Sequence, residues 1–283
     1  MTTLLAYLFY FVAASASPLQ RRWLAVQKGG LSQGQVHFAF QVTAITAVLS
    51  LLLPLFKPFY LAGNPGYLAF LAITCGIFGG GYFWASYVAQ KHVEAGVSTL
   101  VSNIYTPVTI VLATFFLAEG LTTLQIVGTA LLLAGIVTVS RQHRIGRFTF
   151  DKYFLLMALS GVMLGISLTS ERALQVATGF TAGTMLSWWS QCAALGVVAL
   201  ITQSRSEYSY KDVTITGSLR FLQSLSWVVL TFVVGNLSIV SAVTTFKVVL
   251  IFIAGALFLG ERDDLSRKIL GSIIALAGLL LMK

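Results

Sequence analysis

The sequence predicts an all-α polytopic membrane protein with ten transmembrane helices arranged as two inverted five-helix repeats. The 283 residues are 57% hydrophobic and only 10% charged, with a mean hydropathy of +0.87. This composition excludes an ordinary soluble domain. Ten apolar segments are long enough to cross a bilayer, and the second half of the chain repeats features of the first half.

The ten spans are predicted from segment length. A hydrocarbon core of about 30 Å requires about 20 apolar residues per helix. Segments of this length follow one another with short connectors, at residues 4–24, 34–56, 66–90, 97–118, 122–140, 152–172, 182–202, 213–235, 239–259 and 267–282. The first segment lacks a basic leading region, so we interpret it as a retained helix rather than a secretory signal.

Basic residues favour one side of the predicted spans. Three of them (Lys57, Arg172 and Lys283) follow even-numbered spans. The basic residues assigned to the connectors after odd-numbered spans are Arg21, Arg22, Lys28, Lys91, Arg141, Arg144, Arg147, Lys152, Arg205, Lys211, Arg220, Arg262, Arg267 and Lys268. The positive-inside rule then predicts cytoplasmic odd-numbered connectors and both termini outside. The net charge of +9 is explained by topology, and no nucleic-acid partner is predicted.

An internal repeat relates the fourth and ninth spans. Residues 97–120 align with residues 239–262 at an offset of 142, which pairs Tyr105 with Lys247. An odd number of spans per copy forces the second copy to insert upside down, and inverted repeats are the architecture of many secondary transporters. The predicted units are residues 1–146 and 147–283.

Each unit also carries an acidic residue followed by two spaced glycines. The first has Pro107, Leu117-Ala118-Glu119, Gln125, Gly128 and Gly135, and the second has Leu259-Gly260-Glu261, Gly271 and Gly278. These strings, with the connector at residues 91–96, resemble the EamA-type transporters of the drug/metabolite transporter superfamily. The resemblance covers essentially the whole chain.

The EamA resemblance implies a ten-helix basket that moves small metabolites, often outward, across the inner membrane. Two features depart from it. Val249 stands where the second unit is expected to have a proline. The resemblance also implies cytoplasmic termini, whereas the charge count predicts both termini outside. The orientation in the membrane therefore stays open.

Lys247 is the one charged residue within the ninth span. An ammonium at the centre of a membrane helix costs about 2.5–3.5 kcal/mol on insertion scales, so it usually faces a cavity or a partner. We therefore predict that Lys247 is a lone buried cation that meets a substrate carboxylate or phosphate. Snorkelling to the interface is the alternative.

Polar and aromatic side chains near Lys247 are the other candidates for substrate binding. Helical spacing places Ser102 with Tyr105 on one face of the fourth span, with Asn103 beside them. The further candidates are Thr244 and Thr245 on the ninth span, together with Trp84 and Trp227. Alternatively, the hydroxyl groups bond their own helices, and the tryptophans form interfacial belts.

Arg21 and Glu171 are candidate gate charges. They occupy equivalent positions of the two units at an offset of 150, at ends of opposite orientation, and are predicted to pair when one side of the protein closes. Ordinary charges at helix ends are the alternative.

These features favour a secondary transporter, with export the favoured direction, for a small polar or amphipathic metabolite, amino-acid-like or another organic anion or zwitterion. The alternatives are a flippase for a lipid-linked substrate and, less favoured, an intramembrane enzyme or a channel, for which no catalytic set, metal site or filter is visible. No cofactor is predicted. Expected partners are the bilayer and a small-molecule substrate, in a monomer or homodimer of the inner (plasma) membrane. Proton coupling is a hypothesis without an obvious carrier.

Overall fold

The computed structural model describes residues 2–28, 34–90, 92–93, 95–117, 122–140, 152–202, 206, 208–235, 237–244, 247–259 and 265–281. Within these residues the chain forms helices and no β-strand. The α-helices are α1 (Thr2–Lys28), α2 (Gly34–Leu49), α3 (Pro65–Thr74), α4 (Gly80–Gln90), α5 (Ala95–Ser102), α6 (Tyr105–Phe116), α7 (Thr123–Ser140), α8 (Lys152–Thr178), α9 (Phe180–Thr202), α10 (Tyr210–Val234), α11 (Leu237–Thr244), α12 (Lys247–Ala254) and α13 (Leu265–Leu281). A 3₁₀ turn (Ser50–Leu55) extends α2, and π turns (Cys75–Gly79 and Gly255–Leu259) join α3 to α4 and extend α12.

Seven described helical stretches are long and apolar enough to cross a membrane, judged by length and composition. They are Thr3–Val26, Gly34–Leu55, Pro65–Gln90, Ala95–Phe116, Lys152–Thr178, Phe180–Thr202 and Tyr210–Val234. These stretches coincide with the first four predicted spans and with the sixth to eighth. The chain is therefore an all-helical, multi-pass membrane protein. The other three predicted spans correspond to α7, to α11 with α12, and to α13, and the count of ten stays a prediction.

Local sequence explains where several helices begin and end. Asn64 caps α3 by accepting hydrogen bonds from the backbone N–H groups of Gly66 and Tyr67, and Pro65 follows at the first helical position. Ser209 and Asp212 form a reciprocal capping box at the start of α10. That helix ends at Gly235, whose φ of 71° is left-handed and suits glycine.

The fourth span is interrupted between α5 and α6. Pro107 lacks a backbone N–H, and its ring crowds the carbonyl four residues earlier, which belongs to Asn103. The Asn103 carbonyl instead accepts from the N–H of Thr106 at 2.9 Å. The helix therefore breaks at residues 103–104, and the Asn103 side chain lies at the break.

Glycines let the third span approach its neighbours closely. A Cβ at Gly76 would lie 2.8 Å from the carbonyl oxygen of Ser190 in α9. A Cβ at Gly79 would lie 2.5 Å from Gln191 Cγ and 2.8 Å from Ser167 Oγ. All three distances are shorter than real Cβ contacts, so these glycines allow tight packing against α8 and α9.

Helices α7 and α13 pack against each other through reciprocal glycine contacts. A Cβ at Gly135 would lie 2.6 Å from the carbonyl oxygen of Gly271, and a Cβ at Gly278 would lie 2.5 Å from the carbonyl oxygen of Gly128. Because the clashing atoms are backbone, these two helices touch main chain to main chain at both points.

The remaining helices surround a central space. Helix α1 packs on α10 and α12, while α8 packs on α4, α5, α6 and α9. Helix α2 lies against α9 and α10, and α5 meets α12. The ninth predicted span, through α12, therefore contacts α5 of the fourth span in the middle of the bundle. It also contacts α1, the first span.

Candidate functional site

A cavity lies where α1, α4, α5, α8, α10 and α12 meet. Its volume is about 90 Å³. Its wall mixes aromatic, amide, hydroxyl and charged side chains, including Tyr10, Arg21, Tyr82, Asn103, Glu171, Arg220, Trp227 and Lys247. This composition suits a polar ligand more than a lipid tail.

Lys247 begins α12 and points into an aromatic enclosure. Its side chain is 9% exposed, and its Nζ donates a hydrogen bond to Tyr10 Oη at 3.0 Å. The ring centroids of Tyr10 and Tyr105 lie 5.7 Å and 5.4 Å from that nitrogen, and Trp227 packs against both rings. The ammonium is therefore held by cation–π contacts and one hydroxyl, and it does not snorkel.

Three further predicted residues line the same cavity. The amide nitrogen and oxygen of Asn103 are buried and find no hydrogen-bond partner among the described residues, and the same holds for Tyr105 Oη. Ser102 donates to the backbone carbonyl of Ser98, four residues earlier. A buried amide left unpaired is costly, so Asn103 and Tyr105 are the better placed to bind a ligand.

Two other predicted residues, Thr244 and Trp84, do not line the cavity. Thr244 is buried and bonds the backbone carbonyls of Val240 and Ser241, as the structural alternative expected. Trp84 is 39% exposed and lies outside the lining, because Tyr82 and Ser86 turn inward on the same helix and a two-residue step points away from them. Thr245 lies outside the described residues.

The two gate candidates lie at one cavity but are not paired. Glu171 in α8 accepts hydrogen bonds from Ser187 Oγ at 3.0 Å and from Gln175 Nε2 at 3.5 Å. The guanidinium of Arg21 lies over the ring of Tyr87, with Cζ 5.0 Å from the centroid. In this conformation the charges bind other partners, and their pairing on closure stays a prediction.

Sequence reasoning missed Tyr10, Tyr82 and Arg220. The charge count assigned Arg220 to a connector, and this is wrong because the residue lies ten positions inside α10. Lys247 is therefore not a lone buried cation, since Arg21 and Arg220 line the same cavity. The sequence did indicate a special role for Arg220, because it is the only charged residue within the predicted span 213–235.

Tyr10→Phe is expected to lower the free energy of unfolding by about 1–3 kcal/mol. The ring stays, but the Lys247 ammonium loses its hydroxyl partner, and a hydrogen bond to a charged group has about this value. Unfolding of purified protein in detergent measures the effect. The matched control is Tyr60→Phe, at an exposed position, which should change nothing. Equal stability of both variants would show that the aromatic rings alone hold the ammonium.

Comparison with known proteins identifies the first half of the chain. The model of the EamA-like transporter family matches residues 1–141. The N-terminal half of this chain belongs to the EamA-like transporter family. Together with the apolar helices, this match supports a transmembrane transporter of the drug/metabolite transporter superfamily. The EamA-like match ends directly after α7, close to the predicted unit boundary at residue 146, which itself stays a prediction.

A solved crystal structure extends the fold comparison beyond the EamA-like half. It covers 98% of this chain and 95% of its own, with a TM-score of 0.63 and 15% sequence identity. At this identity the similarity concerns the fold alone, and it includes the second half of the chain. No curated protein sequence matches this chain.

Proposed function

We propose that the protein is a ten-span secondary transporter that moves a small organic anion or zwitterion across the inner membrane by alternating access, with export as its direction. The central cavity, with an unpaired amide and a buried ammonium, carries the proposal. Lys247 faces that cavity from the start of α12, and its repeat equivalent Tyr105 faces it from the start of α6. Binding sites between repeats are typical of such transporters.

The reciprocal glycine contacts support two inverted repeats. At an offset of 143, Gly135 corresponds to Gly278 and Gly128 to Gly271. Gly135 approaches Gly271, and its equivalent Gly278 approaches Gly128. The same pair of contacts therefore occurs twice, with the two units exchanging roles. This is the pattern that a two-fold axis between the units produces. Five spans on each side of this axis give the ten-span bundle.

Glu171 fits a transport cycle better than a permanent structural role. Its carboxylate is 6% exposed at the cavity wall and is held by neutral donors from α8 and α9. A carboxylate without a fixed cation can change partner when helices move, which alternating access requires.

Binding followed by transport tests the function. Purified protein is screened by thermal shift against small polar metabolites, and each stabilising compound is tested for counterflow in proteoliposomes. We expect at least one anion or zwitterion to raise the melting temperature and to accumulate against an unlabelled internal pool. A fluorescent lipid that is flipped in the same vesicles, without solute counterflow, would favour the flippase instead. Compounds that bind but never cross would contradict a transporter.

A further inference from the structure

Two arginine side chains in the cavity wall have donor groups without acceptors. Arg21 is 5% exposed, and its Nε and Nη1 have no hydrogen-bond partner in the described part of the chain. The Nε of Arg220 is also buried, and no described residue accepts from it. Both side chains line the cavity. Because buried N–H groups without acceptors are costly, these donors indicate an acceptor from outside the described part of the chain.

Aromatic rings lie next to both guanidinium groups. The Cζ of Arg21 lies 5.0 Å from the centroid of Tyr87, and that of Arg220 lies 4.5 Å from Phe83 and 5.9 Å from Tyr82. Ring faces stabilise a cation but do not use the N–H groups in its plane. Arg220 Nη1 donates to Gln223 Oε1 at 3.2 Å. The Nε of Arg220 and the Nε and Nη1 of Arg21 have no partner among the described residues, so they are available for a carboxylate or phosphate, which arginine binds through parallel hydrogen bonds.

Neither arginine can reach water by extending along its helix. Arg220 lies ten residues after Tyr210 and fourteen before Val234, or about 15 Å and 21 Å from the helix ends at 1.5 Å per residue. Arg21 lies seven residues before Lys28, or about 10 Å from that end. Snorkelling therefore explains neither position.

The cavity has an excess of positive charge. Among the described lining residues the cations are Arg21, Arg220 and Lys247, and the one carboxylate is Glu171. With Glu171 ionised, the excess is two positive charges. Such an excess is unfavourable wherever the charges are shielded from water. A zwitterion would leave both charges uncompensated and a monocarboxylate would leave one, whereas a dianion would compensate both.

We propose that Arg21 and Arg220 form a subsite for a small organic dianion, either a phosphate monoester or a short dicarboxylate. The subsite presupposes the transporter function proposed above and narrows its substrate class. Arg21 from α1 and Arg220 from α10 bind the negatively charged groups of the dianion from two helices. Lys247 and the free amide of Asn103 face the rest of the molecule.

Binding to purified wild-type protein compares four probes of similar size. These are glycerol 3-phosphate and succinate as dianions, lactate as a monoanion and alanine as a zwitterion. We expect at least one dianion to bind at least about tenfold more tightly than lactate and alanine. The dianion that binds more tightly shows whether the subsite prefers a phosphate monoester or a dicarboxylate. Lactate or alanine binding as tightly as both dianions would overturn the subsite, as would the absence of dianion binding.

Arg21→Gln and Arg220→Gln are each expected to weaken dianion binding by at least about tenfold and to change lactate binding less. The matched control is Arg172→Gln, which removes an arginine next to Glu171 that does not line the cavity. Each cavity variant should melt at the same temperature as the wild type without ligand, or higher, because an unpaired charge is removed. Lower melting temperatures with unchanged dianion affinity would make both arginines structural and contradict the subsite.

Counterflow separates this subsite from the transporter function. If lactate or alanine binds best and crosses the vesicle membrane, the transporter stands and the dianion subsite fails. If a dianion binds through Arg21 and Arg220 but never crosses, the subsite stands and the transporter function fails.

Discussion

Lys247→Met is expected to reduce transport of the bound anion by roughly 30- to 4,000-fold. Losing one partner of a buried charge pair costs about 2–5 kcal/mol, and each 1.4 kcal/mol corresponds to about a factor of ten. Methionine keeps the apolar length of the side chain between the rings of Tyr10 and Tyr105. The loss therefore reports the charge rather than the packing. Initial rates of counterflow in proteoliposomes measure it.

Lys247→Arg and Lys57→Met are the controls for this effect. Arginine keeps the charge but carries a larger, planar head, so partial transport is expected. Lys57 is an exposed cation just after the 3₁₀ turn that extends α2 and does not line the central cavity, so Lys57→Met should transport like the wild type. Wild-type rates in Lys247→Met, at equal protein content, would remove Lys247 from substrate binding.

Gly135→Leu is expected to destabilise the protein by about 3 kcal/mol, at the upper end of overpacking effects. A Cβ at this position would lie 2.6 Å from the carbonyl oxygen of Gly271 and 2.7 Å from the backbone nitrogen of Ala275. Backbone atoms cannot rotate away as a side chain does, so α7 and α13 must separate along their contact. Unfolding in detergent measures the loss, and reduced yield in the membrane accompanies it.

Ala130→Leu and Gly278→Leu test the cause of that loss. Ala130 lies on the exposed side of the same helix, so Ala130→Leu should be nearly neutral. Gly278 makes the equivalent contact with Gly128, so Gly278→Leu should cost about as much as Gly135→Leu. A large effect at one glycine and none at the other would contradict the two-fold relation between the units.

The candidates that line the cavity are those that the sequence singled out by their position along a helix. Lys247 and Tyr105 were paired by their offset, and both line the cavity. Asn103 was found for its polarity in an apolar span, and Pro107 explains why its side chain lies at a helix break. Trp84 was misplaced because three consecutive glycines precede Tyr82 on different faces of the helix. Sequence alone did not indicate which of those faces packs inward.

The sequence by itself determined the membrane class, the positions of seven spans and the likeness to EamA-type transporters, and it predicts an internal repeat. Bilayer thickness fixes the length of an apolar segment, and a duplication leaves its offset in the chain. Only the tertiary structure decided how each helix is rotated, and thereby that Arg21, Arg220 and Glu171 face one cavity with Lys247. The physical reason is that both the lipid-facing and the protein-facing sides of a membrane helix are apolar. The hydrophobic pattern therefore reports the length of a span but not its inward face.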